Sequence, residues 1–133
     1  MTIRINLTSV PVKDQDQALR FYTQKLGFVL KRDIPMGGPR WLTVVSAAAP
    51  DGVELLLEPM AGHAPAPAYQ RSLYDAGIPW TAFAVDDIAA EYKRLIALGV
   101  EFRGPPSTGP GPSTATFDDT RGNYIQLAQP PAA

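Results

Sequence analysis

Few residues of this 133-residue chain could do chemistry, and they are scattered. His63 is the one histidine, in the Pro- and Gly-rich run Ala61–Pro67, and cysteine is absent. A disulfide framework, a thiolate metal site and a cysteine nucleophile are therefore excluded. A lone histidine with no carboxylate at a fixed spacing is a poor general base, so His63 reads as a solvated loop residue. Trp41 and Trp80 are the only tryptophans. Each lies in a strand-like stretch, where core packing is the ordinary fate and an aromatic wall for a flat or apolar ligand is the functional alternative. Arg40, beside Trp41, could hold an anionic group, but a solvated guanidinium is the reading preferred. The Gly104–Pro112 run lacks the Lys and helix onset of a phosphate loop. It reads as a surface loop and a candidate lid.

The elements that would position these residues repeat. Ile3 to Val12 reads as a strand, and Asp14 can cap the helix on which Ala18, Phe21, Tyr22 and Leu26 recur at helical spacing. Leu26-Gly27 ends that helix, with Gly27 at the usual left-handed position. Phe28–Ile34, Arg40–Ser46 and Val53–Glu58 then read as strands. Thr81–Val85, a helix capped from Asp86 or Asp87 and lined by Ile88, Tyr92, Leu95 and Leu98, and short strands at Val100–Arg103, Ser113–Asp118 and Tyr124–Ala128 follow in the same order. A short connecting helix is expected over Ala68–Ala76, where Tyr69, Leu73 and Ala76 share a face. The Leu-Gly pairs lie 72 residues apart (98 minus 26), Val12 and Val85 lie 73 apart, and Glu54 and Gln126, each in a last strand, lie 72 apart. Three landmarks near one offset argue for a duplicated unit.

Composition sets the class. The chain is 45% hydrophobic and 19% charged, an ordinary globular balance. A net charge of −1 gives no field for nucleic acid or an anionic membrane. Met1–Asn6 is too short and polar for a signal peptide, and no apolar run approaches the roughly 18 residues of a membrane span. A cytoplasmic protein without nucleic-acid or membrane partners is expected.

The run Val12-Lys-Asp14, Ala18, Phe21-Tyr22 and Leu26-Gly27-Phe28, its counterpart Val85-Asp86-Asp87 to Leu98-Gly99-Val100, and the ending Asp118-Asp119-Thr-Arg-Gly122-Asn123-Tyr-Ile125-Gln126-Leu127 together resemble the vicinal oxygen chelate superfamily. That group includes glyoxalase I, bleomycin-resistance proteins and extradiol dioxygenases. Asp119-Thr120 stands where the family's closing turn usually has Asp-Pro. The resemblance implies an α+β fold of two βαβββ modules forming a cupped mixed sheet with flanking helices. Module one spans about 1–60, the linker helix about 65–77 and module two about 78–129. A ligand cavity is expected between the modules. Strand alternation then turns Leu7 and Ser9, Glu54, Leu56 and Glu58, Trp80 and Ala82, and Tyr124 and Gln126 toward the cup, with Val53, Leu55 and Leu57 on the helix side.

The resemblance also implies a metal site drawn from the first and last strand of each module. In this chain those positions are Leu7, Glu54, Trp80 and Gln126. Leu7 has no donor atom and the Trp80 indole has only an N–H. Only Glu54 and Gln126 could remain, against the roughly three protein ligands of a catalytic zinc site. No cofactor is therefore expected, with a divalent metal as the minor alternative. Glu54 is a polar anchor, a general base raised in pKa by an apolar cup, or a structural hydrogen-bond partner of Gln126. The expected function is binding of a small organic ligand by Leu7, Trp41, Glu54, Trp80, Tyr124 and Gln126, as a homodimer and without the usual metal. The alternatives are a lyase, isomerase or dioxygenase with an altered metal site, for which Glu54 is the catalytic candidate, and a non-catalytic structural dimer.

Overall fold

The structure, a computed structural model, describes residues 2–60 and 65–131. The chain divides into two compact units, residues 1–64 and 65–133.

In the first unit β1 (Leu7–Val12) leads into α1 (Gln15–Arg20). The Asp14 side chain caps this helix by accepting from Gln17 N at 2.9 Å, as its type predicts. The helix then widens into a π-helical turn over Phe21–Lys25. There the Thr23 hydroxyl bonds the Leu19 carbonyl at 2.7 Å and Leu26 N reaches back to Phe21 O. Gly27 (φ 85°) closes the helix in the left-handed region. β2 (Val29–Pro35), β3 (Arg40–Val45) and β4 (Glu54–Pro59) complete a sheet of order β1-β4-β3-β2, with β1 parallel to β4 and the other pairs antiparallel. One face is dry: Val10, Val12, Leu42, Val44, Leu55 and Leu57 are buried, as are Ala18, Phe21 and Tyr22 of the helical segment. Gln15 fastens the helix start to two strands. Its amide donates to the carbonyls of Arg40 (2.8 Å) and Leu57 (2.9 Å) and accepts from Arg40 N (3.0 Å).

The second unit opens with α2 (Pro65–Asp75), which starts at the expected linker boundary and three residues before the face of Ala68–Ala76. β5 (Thr81–Ala84), α3 (Ile88–Ala97, capped by the Asp87 side chain), β6 (Ser113–Asp118) and β7 (Tyr124–Gln129) follow. The sheet order is β5-β7-β6, with β5 parallel and β6 antiparallel to β7. Ile88, Leu95, Val100, Ala115, Phe117, Ile125 and Leu127 form its buried core. Two sheets of four and three strands with helices make this an α+β fold.

Two expected strands change. Ile3 to Asn6 is not strand, and Ile3 and Ile5 are almost fully exposed, because β1 pairs with β4 only from Leu7↔Glu54 onward. Val100–Arg103 is not a regular strand either. The segment from Glu101 to Ser107 meets β6 only at the bridges Phe102↔Phe117 and Ser107↔Thr114. Pro105 and Pro106 lie between those bridges and have no N–H for a ladder.

The β6–β7 turn is built around Asp119, which is completely buried. Its carboxylate accepts from Arg121 N (2.7 Å), Asn123 N (3.0 Å) and Asn123 Nδ2 (2.8 Å). Asn123 Oδ1 in turn accepts from Gln70 Nε2 of α2 at 3.0 Å. Thr120 sits at φ 63° with its N–H donated to Asp118 Oδ1 at 2.7 Å. A proline there, fixed near φ −65° and lacking that N–H, could not take this conformation, which accounts for Asp-Thr in place of Asp-Pro. Asp119→Ala would leave buried donors unpaired. We expect it to lower unfolding free energy by at least the roughly 1–3 kcal/mol that one such orphan costs, read as a fall in the urea midpoint at unchanged m-value.

Candidate functional site

Because each strand alternates, the face opposite each dry core carries a defined set of side chains. In the first sheet the paired registers Leu7↔Glu54, Ser9↔Leu56, Val45↔Glu54, Thr43↔Leu56, Arg32↔Thr43 and Ile34↔Trp41 place Leu7, Glu54, Leu56, Trp41, Thr43, Arg32 and Ile34 on one open face. The sequence-based set Leu7, Trp41 and Glu54 therefore does share a face. A register irregularity between Leu30 and Arg32 in β2 brings Arg32 onto it.

That irregularity decides what Glu54 can do. Its carboxylate accepts from Thr43 Oγ1 at 2.8 Å and from Arg32 Nε at 3.1 and 3.3 Å. The Thr43 hydrogen bond is the largest influence on its pKa and lowers it. Burial pushes the other way, and Arg32, by hydrogen bond and charge, lowers it further. The net direction is downward, which corrects the expectation of a base raised by an apolar cup. A carboxylate held ionised by a cation and a hydroxyl is a weak proton acceptor. Its partners within its own unit are Thr43 and Arg32. Arg40 is corrected as well. It is neither free nor merely solvated, but ion-paired to Asp16 (2.8 Å) and Asp33 (3.0 Å), with its pKa raised chiefly by the Asp16 hydrogen bond.

In the second sheet Thr116↔Gln126, Asp118↔Tyr124 and Ala82↔Gln126 place Thr116, Asp118, Tyr124, Gln126 and Ala82 on one face, with Trp80 next in the alternation. Trp80 N donates to Tyr124 O at 2.8 Å, and the half-buried indole meets Tyr69 of α2 edge-on at 5.7 Å. Tyr124 stacks flat on Tyr74 of α2 (4.4 Å, 2°), and the Arg103 guanidinium lies 4.9 Å from the Tyr124 ring centre. Tyr74 Oη donates to Asp118 Oδ2 at 2.6 Å, and this bond, with Tyr124 next, pushes the Tyr74 phenol up. Trp80, Tyr124 and Gln126 thus share a face as expected. The sequence reading missed Tyr69, Tyr74 and Arg103, which arrive from α2 and the irregular segment after α3. A tyrosine pattern on α2 was the only signal for the two tyrosines, and Arg103 carried none.

The register also corrects the pseudo-symmetry. Leu7 stands beside Glu54, whereas Gln126 stands beside Ala82 and Trp80 beside Tyr124. The offset of 72 to 73 residues therefore misplaces one strand by two positions. Such a slip keeps the face and changes the neighbour. The donor set does not fit the metal that the fold implies: Leu7 and Trp80 offer no ligand atom, and the Glu54 carboxylate is already held by Arg32 and Thr43. Among the described residues there is no group of three His, Cys, Asp or Glu side chains suited to a metal. His63 lies outside the described residues. Among those described, no helix is long and apolar enough to cross a membrane.

A family model described as "Glyoxalase/Bleomycin resistance protein/Dioxygenase superfamily" matches residues 4–127. The chain is 50% identical over 127 residues to the uncharacterized protein YurT of Bacillus subtilis (strain 168), covering 96% of this chain and 99% of that protein. Among solved structures it is similar to UcmS2, with TM-score 0.82, 35% identity and coverage of 96% and 98% of the two chains. It is also similar to TnmS3, an antibiotic binding protein from Streptomyces sp. CB03234, with TM-score 0.78, 32% identity and 98% of each chain covered.

The lowered pKa of Glu54 fixes the sign of its pH effect. Its ionised form stabilises the fold above the unfolded carboxylate value of about 4.3, and that contribution is lost as pH falls through the lower folded value. Glu54→Gln should therefore melt below the parent at neutral pH. The gap should close on acidification below the ordinary carboxylate range, as followed by paired thermal melts. A gap that widens in acid would reverse the assignment.

Proposed function

The chain belongs to the glyoxalase/bleomycin resistance protein/dioxygenase superfamily, and from that premise we propose that it binds a small, flat organic molecule without a catalytic metal, as an antibiotic-binding protein does. The observation that carries this reading is the state of Glu54. The one acidic residue among the family's ligand positions has its oxygens engaged by Arg32 and Thr43 and its basicity lowered by them, which favours a structural role over that of a metal ligand or base. What the open faces offer is contact surface. Trp41, Ile34 and Leu7 stand on one, and the half-buried Trp80 on the other, beside the Tyr124 ring that Tyr74 and Arg103 already cover. Aromatic faces beside a few fixed polar groups suit recognition of a planar molecule more than turnover of one. The similarity to TnmS3, an antibiotic binding protein from Streptomyces sp. CB03234, supports the same reading.

Titration with a panel of planar polycyclic antibiotics, with bleomycin alongside, tests it. Trp80 fluorescence, isolated by Trp41→Phe, should change on binding, and excess EDTA should leave affinity unaltered. Trp80→Ala should weaken binding by roughly 1–3 kcal/mol while largely preserving the fold. Loss of about 3–5 kcal/mol of stability with affinity unchanged would put the indole in the core and remove the reading. Affinity that depends on a divalent ion would favour the lyase, isomerase or dioxygenase alternative.

We also propose that the chain works as a symmetric homodimer. β2 is an edge strand exposed along its whole length, and Val29, Leu30 and Ile34 are each nearly half exposed. An apolar, unpaired edge of this kind is a liability that a second copy removes. Light scattering should give about twice the 14.3 kDa chain mass, and a monomer at micromolar concentration would refute it.

A further inference from the structure

A groove of about 320 Å³ runs beside β6 in the second unit, lined by Arg103, Gly104, Pro105, Ser107, Thr114, Ala115 and Thr116. Its polar walls are of one kind, a guanidinium and three hydroxyls. Arg103 is held in place from two sides. Its Nη1 donates to Gly77 O at 3.2 Å, and the guanidinium packs against the Tyr124 ring. A side chain at position 77 would collide with that guanidinium, so the absence of a Cβ is what lets Arg103 sit there. A guanidinium has five N–H donors, and the bond to Gly77 uses one. Among the described residues no carboxylate pairs with Arg103. Asp118, the acid of the same strand, turns instead to Tyr74 Oη (2.6 Å) and Thr120 N (2.7 Å). The Ser107 hydroxyl donates to Thr114 O at 3.3 Å and lies 3.0 Å from Thr114 Oγ1, so these two hydroxyls are engaged with one another and frame the wall, while Thr116 keeps the hydroxyl nearest Arg103 in the sheet. Thr116 lies opposite Gln126 on the open face, so the groove adjoins the aromatic surface of Tyr124.

A positioned cation without a partner acid among the described residues, with the Thr116 hydroxyl in the same groove, is complementary to an oxyanion. We propose that this groove is an oxyanion subsite, and that the molecule the chain binds carries a carboxylate, sulfonate or phosphate which Arg103 and Thr116 receive between the walls formed by Ser107 and Thr114. This inference rests on the ligand-binding reading above and names the chemical class of its ligand.

The test uses two probes with one ring system, the anionic 1-anilinonaphthalene-8-sulfonate and the neutral N-phenyl-1-naphthylamine, titrated by fluorescence into the full chain. The sulfonate should bind at least about ten-fold more tightly, roughly the 1.4 kcal/mol of one charge-assisted contact. That preference should shrink as salt rises. Arg103→Met should abolish the preference while leaving the neutral probe's affinity within about two-fold. Arg103→Lys should retain part of it. Thr116→Val, which keeps shape and removes a hydroxyl, should reduce it without touching the Tyr124 stack, and thermal melts of each variant establish that the fold is retained. Equal affinity for the two probes, or a preference that survives Arg103→Met, overturns the subsite and leaves the ligand-binding reading standing. Failure of both probes to bind overturns the two together.

Discussion

Side-chain alternation is the constraint on which this molecule depends. A strand sends successive residues to opposite faces, and in each unit one face is closed by helix and aliphatic side chains. In the first unit Val10, Val12, Leu42, Val44, Leu55 and Leu57 take the dry face. Every residue between them is thereby committed to the other side, whatever its chemistry. In the second, Ile125 and Leu127 go to the core and Tyr124 and Gln126 to the open face. The functional surface is therefore what remains after the core has been assigned, and a slip by one residue would exchange the two sets.

The charged groups beside the two sheets differ in how far they are paired. Arg32 and Thr43 satisfy Glu54, and Asp16 and Asp33 satisfy Arg40, so the charges of the first unit are spent on its own structure. In the second unit Tyr74 and Gln70 of α2 tie the helix to Tyr124, Asp118 and Asn123, and Asp119 secures the turn beneath them. That network leaves the Arg103 guanidinium with a ring and a single carbonyl as neighbours. Among the described residues, the carboxylate of one sheet is thus paired and the guanidinium beside the other has no acidic partner.

The repeat was legible because its landmarks are backbone events with local causes. The caps at Asp14 and Asp87 and the left-handed glycines 27 and 99 need only their neighbours, and the structure has each of them. The strand at Val100–Arg103 was not, since its pairing fails at Pro105 and Pro106, just beyond it in sequence. Nor was Thr120 at positive φ, which depends on the side chain of Asp118. The charge state of Glu54 was hidden because Arg32 reaches it through a bulge, and a bulge leaves no mark on hydrophobic period.

The sequence by itself determined the order of elements, the faces of β1, β4 and β7, and the family. It also showed that Leu7 and Trp80 cannot ligate a metal, since a missing donor atom is a property of the residue and not of its setting. Tertiary structure alone decided which polar groups are already satisfied. Glu54 has its pKa lowered by partners 11 and 22 residues away in the chain, and Arg103 gains its seat from Gly77 and Tyr124. The physical reason is common to both. Ionisation and availability are set by the groups within a few ångströms of an atom, and in a sheet those neighbours come from other strands.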